Sequence, residues 1–320
     1  MVVVDLCQTQ TTVGRLILPG LDKVTHGSHS AIISDDTDWS QYAYCHYVTT
    51  LDYLCNSVMI FEALDRAGAK AAKVMLFPST WSVTDNNQTA VLIRKARDEY
   101  GAQLSPIQVQ HLSGDETWAA SFTKLLAFNQ TQYKRVLSLD SDATLLKSMD
   151  ELFLLPSAPV AMPRAYWLET NTLSSQMLLV EPSAFEFKRV QTAVDTRGLD
   201  DFDMEIVNAL YGDDSIVLPH RGYDLVTGEF RATDHARYLG STEEVWDPSA
   251  VVDEAKFVHF SDWPMPKPWL PHTEETEMAL RPACKVTADG QDCRARDIWL
   301  YLYADFVERR KVRAFTEVCW

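Results

Sequence analysis

The feature that most constrains the fold is one unit repeated along the first 130 residues: a short apolar run followed by a segment with apolar residues at helical spacing. Tyr42 to Thr50 mixes aromatic, valine and threonine residues and reads as a strand, and Asp52 to Ala67 sets Leu54, Val58, Phe61, Ala63 and Leu64 near helical spacing before Gly68. Lys73 to Phe77, ending at Pro78, and Thr84 to Tyr100, with Val91, Leu92, Ile93 and Ala96 before Gly101, repeat the pattern. Leu104 to Val109 and Thr117 to Phe128, with Trp118, Phe122, Leu125 and Leu126 on one side, form a third unit, and Val136 to Leu139 a fourth strand. Such alternation predicts an α/β fold, a mainly parallel sheet covered by helices.

Ligands of such sheets sit at the carboxyl ends of the strands, which puts Asp140-Ser141-Asp142, directly after the fourth strand, in the expected site. Two carboxylates one residue apart repel, and each raises the pKa of the other unless a cation intervenes. Their hard oxygens suit magnesium or manganese, which keep positions open for phosphate oxygens. Asp-Ser-Asp is also ordinary turn chemistry, and its place after an apolar strand is what favours a site. A third ligand is His259, after Lys256-Phe257-Val258; the stretch from it to Lys267-Pro268-Trp269 joins an imidazole, a lysine and two tryptophans in a proline-constrained loop suited to phosphate charge and sugar stacking. Beyond residue 140 the regular alternation fades into Pro159 to Met162, Ser174 to Val180, helices Ser183 to Val194 and Asp203 to Tyr211, and a final amphipathic helix, Arg296 to Arg310.

Composition narrows the function. With 45 acidic against 29 basic residues, a formal charge of -16, the chain repels a phosphate backbone, and nucleic acid is not an expected partner. No run approaches the 18 apolar residues of a membrane span, and residues 1–40 are polar and lack a signal-peptide pattern, which favours the cytosol. The sequons at Asn87 and Asn129 leave a Golgi lumen open if an anchor lies outside this chain. The six cysteines, Cys7, Cys45, Cys55, Cys284, Cys293 and Cys319, form no C-x-x-C pair and are expected as free thiols, except that Cys284 and Cys293 flank a Gly-containing loop and could close a disulfide in an oxidising compartment.

Several ordered motifs together resemble a family. Thr123-Lys124-Leu125, Tyr133 to Leu139, Asp140-Ser141-Asp142 and Met149-Asp150-Glu151-Leu152-Phe153 resemble the core of the glycogenin-like glycosyltransferases, family 8. Thr49-Thr50 with Tyr53 resembles the strand and turn that hold the uracil ring, Glu181-Pro182-Ser183 the strand-to-helix junction after the donor site, and His259 to Trp269 the H-x-x-G-x-x-K-P-W signature. The resemblance runs from about Tyr42 to Trp269, and the wording is closest to fungal members.

The resemblance implies a GT-A fold, a single Rossmann-like nucleotide-sugar-binding domain with a mixed, mainly parallel sheet. Residues 41–272 would be catalytic, 1–40 a polar extension and 273–320 a tail and helix packed on the catalytic domain. It further implies a retaining, metal-dependent hexosyl or N-acetylhexosaminyl transfer from UDP-glucose, UDP-galactose or UDP-N-acetylglucosamine to a glycan or other hydroxyl acceptor. Mn2+ or Mg2+ would be held by Asp140, Asp142 and His259. Thr49, Tyr53, Lys124, Asp140, Ser141 and Lys267 would contact the donor, and of the two catalytic candidates Lys124 would help position the donor while Asp203 would contact the donor sugar or stabilise an oxocarbenium-like centre. No tyrosine is singled out for self-glucosylation, a separate acceptor is preferred, and a homodimer is compatible with this reading.

The chain departs from the family at identifiable places. The family's Asn-Ser/Thr-Gly is Ser174-Ser175-Gln176, the Gln beside the acidic residue is Met204, and the last signature has Asp262 for glycine and two extra residues before Lys267. Asp213 to Asp253, with Arg221, Tyr223 and Arg231, reads as part of an acceptor pocket or as surface elaboration. Two other functions fit parts of the chain. One is a haloacid dehalogenase-like phosphatase with Asp140 as nucleophile and Gly212-Asp213-Asp214 as a later acidic motif, which would need Asp140 on the first strand. The other is a protein that binds UDP-sugar without turning it over.

Overall fold

Strands and helices alternate along the first half of the described residues. A computed structural model describes residues 36–109, 121–198, 200–288 and 290–313. The expectations for most of residues 1–40, for Thr117 to Ala120, and for Cys7 and Cys319 lie outside the described residues. β1 (Tyr42–Tyr47), α1 (Leu51–Arg66), β2 (Ala72–Pro78), α2 (Gln88–Tyr100), β3 (Ala102–Ile107) and β4 (Arg135–Leu139) follow the periodicity of the sequence to within a few residues. Both early helices start on side-chain caps: Thr50 accepts from the Tyr53 N–H, and Asn87 from the Ala90 N–H at 2.8 Å. Gly101 ends α2 at φ 67°, a left-handed turn that any side chain would strain. The third helix differs from expectation, since Ser121–Asn129 is wound as a 3-10 helix.

Four later strands, β5 (Ala143–Leu145), β6 (Val160–Pro163), β7 (Met177–Val180) and β8 (Ile216–Leu218), precede β9 (Leu225–Val226) and β10 (Phe257–His259). The central sheet has seven strands in the order β3-β2-β1-β4-β7-β6-β8. β1 to β4 and the β6/β8 pair run parallel, whereas β7 is antiparallel to both β4 and β6. The fold is therefore α/β with a mixed, mainly parallel sheet. Along β4, Leu137 and Leu139 face one hydrophobic cluster and Val136 the other, which is why the strand reads as continuously apolar. α3 (Ala184–Thr196) and α4 (Asp203–Tyr211) follow β7, and Val190, Ile206, Val207 and Tyr211 pack on the second face.

A smaller sheet, β5-β10-β9, stands beside the large one, with β10 antiparallel to β5 and parallel to β9. This pairing places His259 opposite Ala143, one residue beyond the Asp140–Asp142 turn. A third core lies behind the small sheet. There Trp299, Leu302, Tyr303 and Phe306 of the C-terminal helix Arg294–Arg313 pack with Leu225, Val258, Phe260 and Met265. No helix among the described residues is long and apolar enough to cross a membrane.

The cysteines depart from the expectation of free thiols. Cys284 and Cys293 are disulfide-bonded, as their flanking of a loop allowed, and Cys55 is also in a disulfide. Cys45 is the free cysteine among the described residues. It is fully buried, and burial pushes its thiol up to about 12, so it is chemically quiet.

Candidate active site

The end of β4 and the end of β10 bring Asp140, Asp142 and His259 together, with one ligand atom of each within 4.8 Å of the others. His259 Nε2 lies 3.0 Å from Asp142 Oδ1 and 3.9 Å from Asp140 Oδ2, so the imidazole edge faces both carboxylates. Its Nδ1 is buried with no hydrogen-bond partner among the described residues. The backbone fixes both flanks: the Asp140 N–H donates to the Gln176 carbonyl at 3.0 Å, and the Phe260 N–H donates to the Asp142 carbonyl at 2.9 Å. Two carboxylates and an imidazole form a donor set that fits Mn2+ well and Mg2+ less well, because magnesium favours oxygen alone.

Two lysines balance the carboxylates. Lys124, buried on the 3-10 helix, bridges Asp140 and Asp203 at 2.8 Å each and donates to the Ser175 carbonyl at 3.1 Å. Lys267 donates to Asp142 Oδ2 at 2.7 Å and to the Phe260 carbonyl at 2.6 Å. The two aspartates consequently differ. Burial raises the pKa of Asp140, with Asp142 adding to it and Lys124 offsetting only part. Burial opposes ionisation of Asp142 too, but His259 and Lys267 outweigh it and hold that carboxyl well below the usual range.

Asp203 begins α4, where the positive end of the helix favours a carboxylate. Although buried, it is held ionised below its ordinary pKa by Lys124 and by the Ser175 hydroxyl, which donates to it at 2.7 Å. Asp203 and Lys124 thus belong to one network with Asp140. Tyr53, in the first turn of α1, meets the Trp269 ring edge-on at 6.0 Å; Thr49 is half-buried on the turn before α1, and Ser141 is buried.

The residues read as part of an acceptor pocket or as surface elaboration have partners within the protein: Arg221 pairs with Glu244 and Glu254, the Tyr223 hydroxyl donates to Glu151 at 2.7 Å, and Arg231 pairs with Asp262 at 2.5 Å. Asp262, found where the family has glycine, is a clamp. It also accepts from the Trp299 indole N–H at 2.6 Å and from the Tyr303 hydroxyl at 3.4 Å, tying the Lys267 loop to the C-terminal helix. Gly228 allows this close approach, since a Cβ there would sit 2.9 Å from the Ser261 carbonyl oxygen. Trp263 is 92% exposed.

Two groups escape the sequence reading. The Tyr47 hydroxyl reaches Asp140 at 3.4 Å, and the parallel register, with Cys45 opposite Ser138, puts residue 47 level with residue 140. Asp224 is fully buried, with neither carboxylate oxygen hydrogen-bonded to a described residue. Burial pushes its pKa up to about 7, with Asp140 adding to the rise and Lys124 offsetting part of it. Nothing in a lone aspartate after Gly222-Tyr223 signals this environment.

The fold is that of GT-A glycosyltransferases. The galactosyltransferase LgtC, solved with donor and acceptor sugar analogs, superposes with a TM-score of 0.54 at 13% identity over 82% of this chain and 95% of its own. The bifunctional glycosyltransferase WbbM gives 0.56 at 12% identity over 88% and 53%. No family model matches the chain. Among curated proteins, glucose N-acetyltransferase 1 of Gibberella zeae is 54% identical over 285 residues, and that of Aspergillus fumigatus 45% over 305. These matches cover 86% and 88% of this chain, which spans 62% and 79% of those relatives. Glycogenin-1 of Caenorhabditis elegans is 24% identical over 201 residues. The chain belongs to glycosyltransferase family 8, together with the fungal glucose N-acetyltransferase 1 proteins. It is a glycosyltransferase; the phosphatase expectation fails because Asp140 ends β4, three strand-and-helix units into the sheet.

Proposed function

We propose that this chain moves an N-acetylhexosaminyl or hexosyl unit from a UDP-sugar to a glycan or other hydroxyl acceptor, with retention at the anomeric carbon and dependence on Mn2+. The observation that carries the reading is the Asp140, Asp142 and His259 cluster, flanked by Lys267 on one side and by the Lys124 and Asp203 pair on the other. The names of the fungal relatives join glucose to an N-acetyl group, and on a GT-A fold this supports N-acetylglucosamine as the transferred unit.

Asp140, Asp142 and His259 would hold the ion. When bound, Mn2+ supplies a Lewis acid for the diphosphate oxygens of the donor. Lys267 brings a further positive charge to the same place, fixed there by the Asp262 clamp, so that charge developing on the leaving diphosphate meets a preorganised partner. Lys124 keeps Asp203 ionised, and a carboxylate at that position stabilises an oxocarbenium-like centre. Tyr53 and Trp269 offer an aromatic corner to the uracil ring. The disulfides support maturation in an oxidising lumen over the cytosol.

The test is UDP release from UDP-N-acetylglucosamine, UDP-glucose and UDP-galactose, with Mn2+ and with chelator. Mn2+-dependent release from one donor is the expected outcome. Phosphate release from simple phosphomonoesters, with all UDP-sugars untouched, would overturn the reading.

A further inference from the structure

Gln176 stands between the two halves of the site. Its carbonyl receives the Asp140 N–H at 3.0 Å, and its side-chain Nε2 reaches the Ser261 hydroxyl at 3.4 Å, while the Ser261 N–H donates to the His259 carbonyl at 2.9 Å. The preceding residue, Ser175, contacts both Lys124 and Asp203. Gln176 is therefore tied to the cation cluster through its carbonyl and through Ser261, and its chain neighbour Ser175 is tied to the Lys124 and Asp203 pair.

The Oε1 of Gln176 is buried and has no hydrogen-bond partner among the described residues. A buried amide oxygen left unpaired keeps its full desolvation cost with nothing to offset it. The Nε2 contact is at the outer limit of hydrogen-bonding distance, so neither end of the amide is well satisfied by the protein. Turning the amide over exchanges the two ends without changing this result. Other polar groups of the segment are already used. Ser174 Oγ accepts from the Gln176 N–H at 3.2 Å, Ser175 Oγ is spent on Asp203, and Met204 is apolar.

We propose that Gln176 is the donor-specificity residue of this enzyme, its side-chain amide pairing with the 2-acetamido group of a UDP-N-acetylhexosamine. An acetamide presents one N–H and one carbonyl, which complement the free Oε1 and the weakly held Nε2 together. A hydroxyl can satisfy the oxygen alone, so a hexose donor gains less from the same side chain.

This inference rests on the donor-transfer reading above, and one experiment separates the two. kcat/KM for UDP release is measured with UDP-N-acetylglucosamine and UDP-glucose for the wild type, Gln176→Ala and Gln176→Glu, beside inhibition by UDP. Gln176→Ala is expected to lower kcat/KM for UDP-N-acetylglucosamine by about 10- to 100-fold. UDP-glucose and the inhibition constant of UDP should stay within about threefold of wild type. Gln176→Glu keeps the acceptor oxygen but loses the donor, and should fall between the two. Equal losses on both donors, or no loss on either, would overturn the inference and leave the transferase reading standing. Absence of UDP release from every donor by the wild type would overturn the transferase reading itself.

Discussion

The two sides of the cation cluster are built in different ways. Asp140 and Asp142 project from the end of a central strand whose neighbours, β1 and β7, are regular, and whose side chains are buried on both faces. His259 and Lys267 come from a short strand and an irregular loop held by side chains, chiefly Asp262 against Trp299, Tyr303 and Arg231. The first side is positioned by backbone hydrogen bonding, which many sequences can satisfy. The second depends on a few buried polar contacts, each of which must be paired. Substitutions on the first side should therefore act on charge balance, and those on the second on geometry.

The largest effect is expected from Lys124→Met, which leaves Asp140 and Asp203 buried without their shared cation. Breaking a buried pair in this way costs about 3–5 kcal/mol, read from the urea midpoint. Stability close to wild type would show that the charge balance on the sheet side does not matter. Asp262→Gly restores the family residue yet strips partners from Trp299 and Arg231. It should cost about 1–3 kcal/mol and raise KM for the donor more than it lowers kcat, because the loop carrying Lys267 loses its tie to the C-terminal helix.

Asp224 gives a pH signature on the same boundary. Its ordinary pKa is 3.8 and burial carries it to about 7 in the folded protein. Near pH 4 the carboxyl is neutral in the fold at little cost, and the stability it contributes is lost as pH rises through 7. Asp224→Asn should thus raise Tm by about 2–4 °C at pH 8 and hardly change it at pH 4. A uniform shift at both pH values would contradict this. Smallest of all, Arg221→Ala removes partly exposed ion pairs with Glu244 and Glu254, and should cost no more than about 1 kcal/mol while leaving KM for the acceptor unchanged.

The same contrast governs what could be read from the sequence. β1 through β4 were legible because burial on both faces turns each strand into an apolar run, and the helices between them carry their period and caps in the residues themselves. That Asp140, Asp142 and His259 meet was legible from their types and their places at strand ends, and that Lys124, Asp203 and Lys267 gather beside them from the family resemblance. Asp262 was not, because its role depends on Trp299, an indole 37 residues further on, and no local pattern joins them. The partners of Arg221, Tyr223 and Arg231 were not legible for a related reason: Glu244, Glu254, Glu151 and Asp262 are all distant in sequence. Tyr47 falls between these cases, since the strand containing it was evident but its level with Asp140 needed the register.

The central claim is that both halves meet on one divalent cation, and Mn2+ magnetic resonance tests it most directly. Titrating Mn2+ with UDP into the wild type should give one bound ion with a nitrogen coupling from an imidazole. His259→Gln should remove that coupling, and Asp142→Asn should weaken binding by at least about tenfold. No bound Mn2+, or binding and coupling indifferent to both substitutions, would contradict the account.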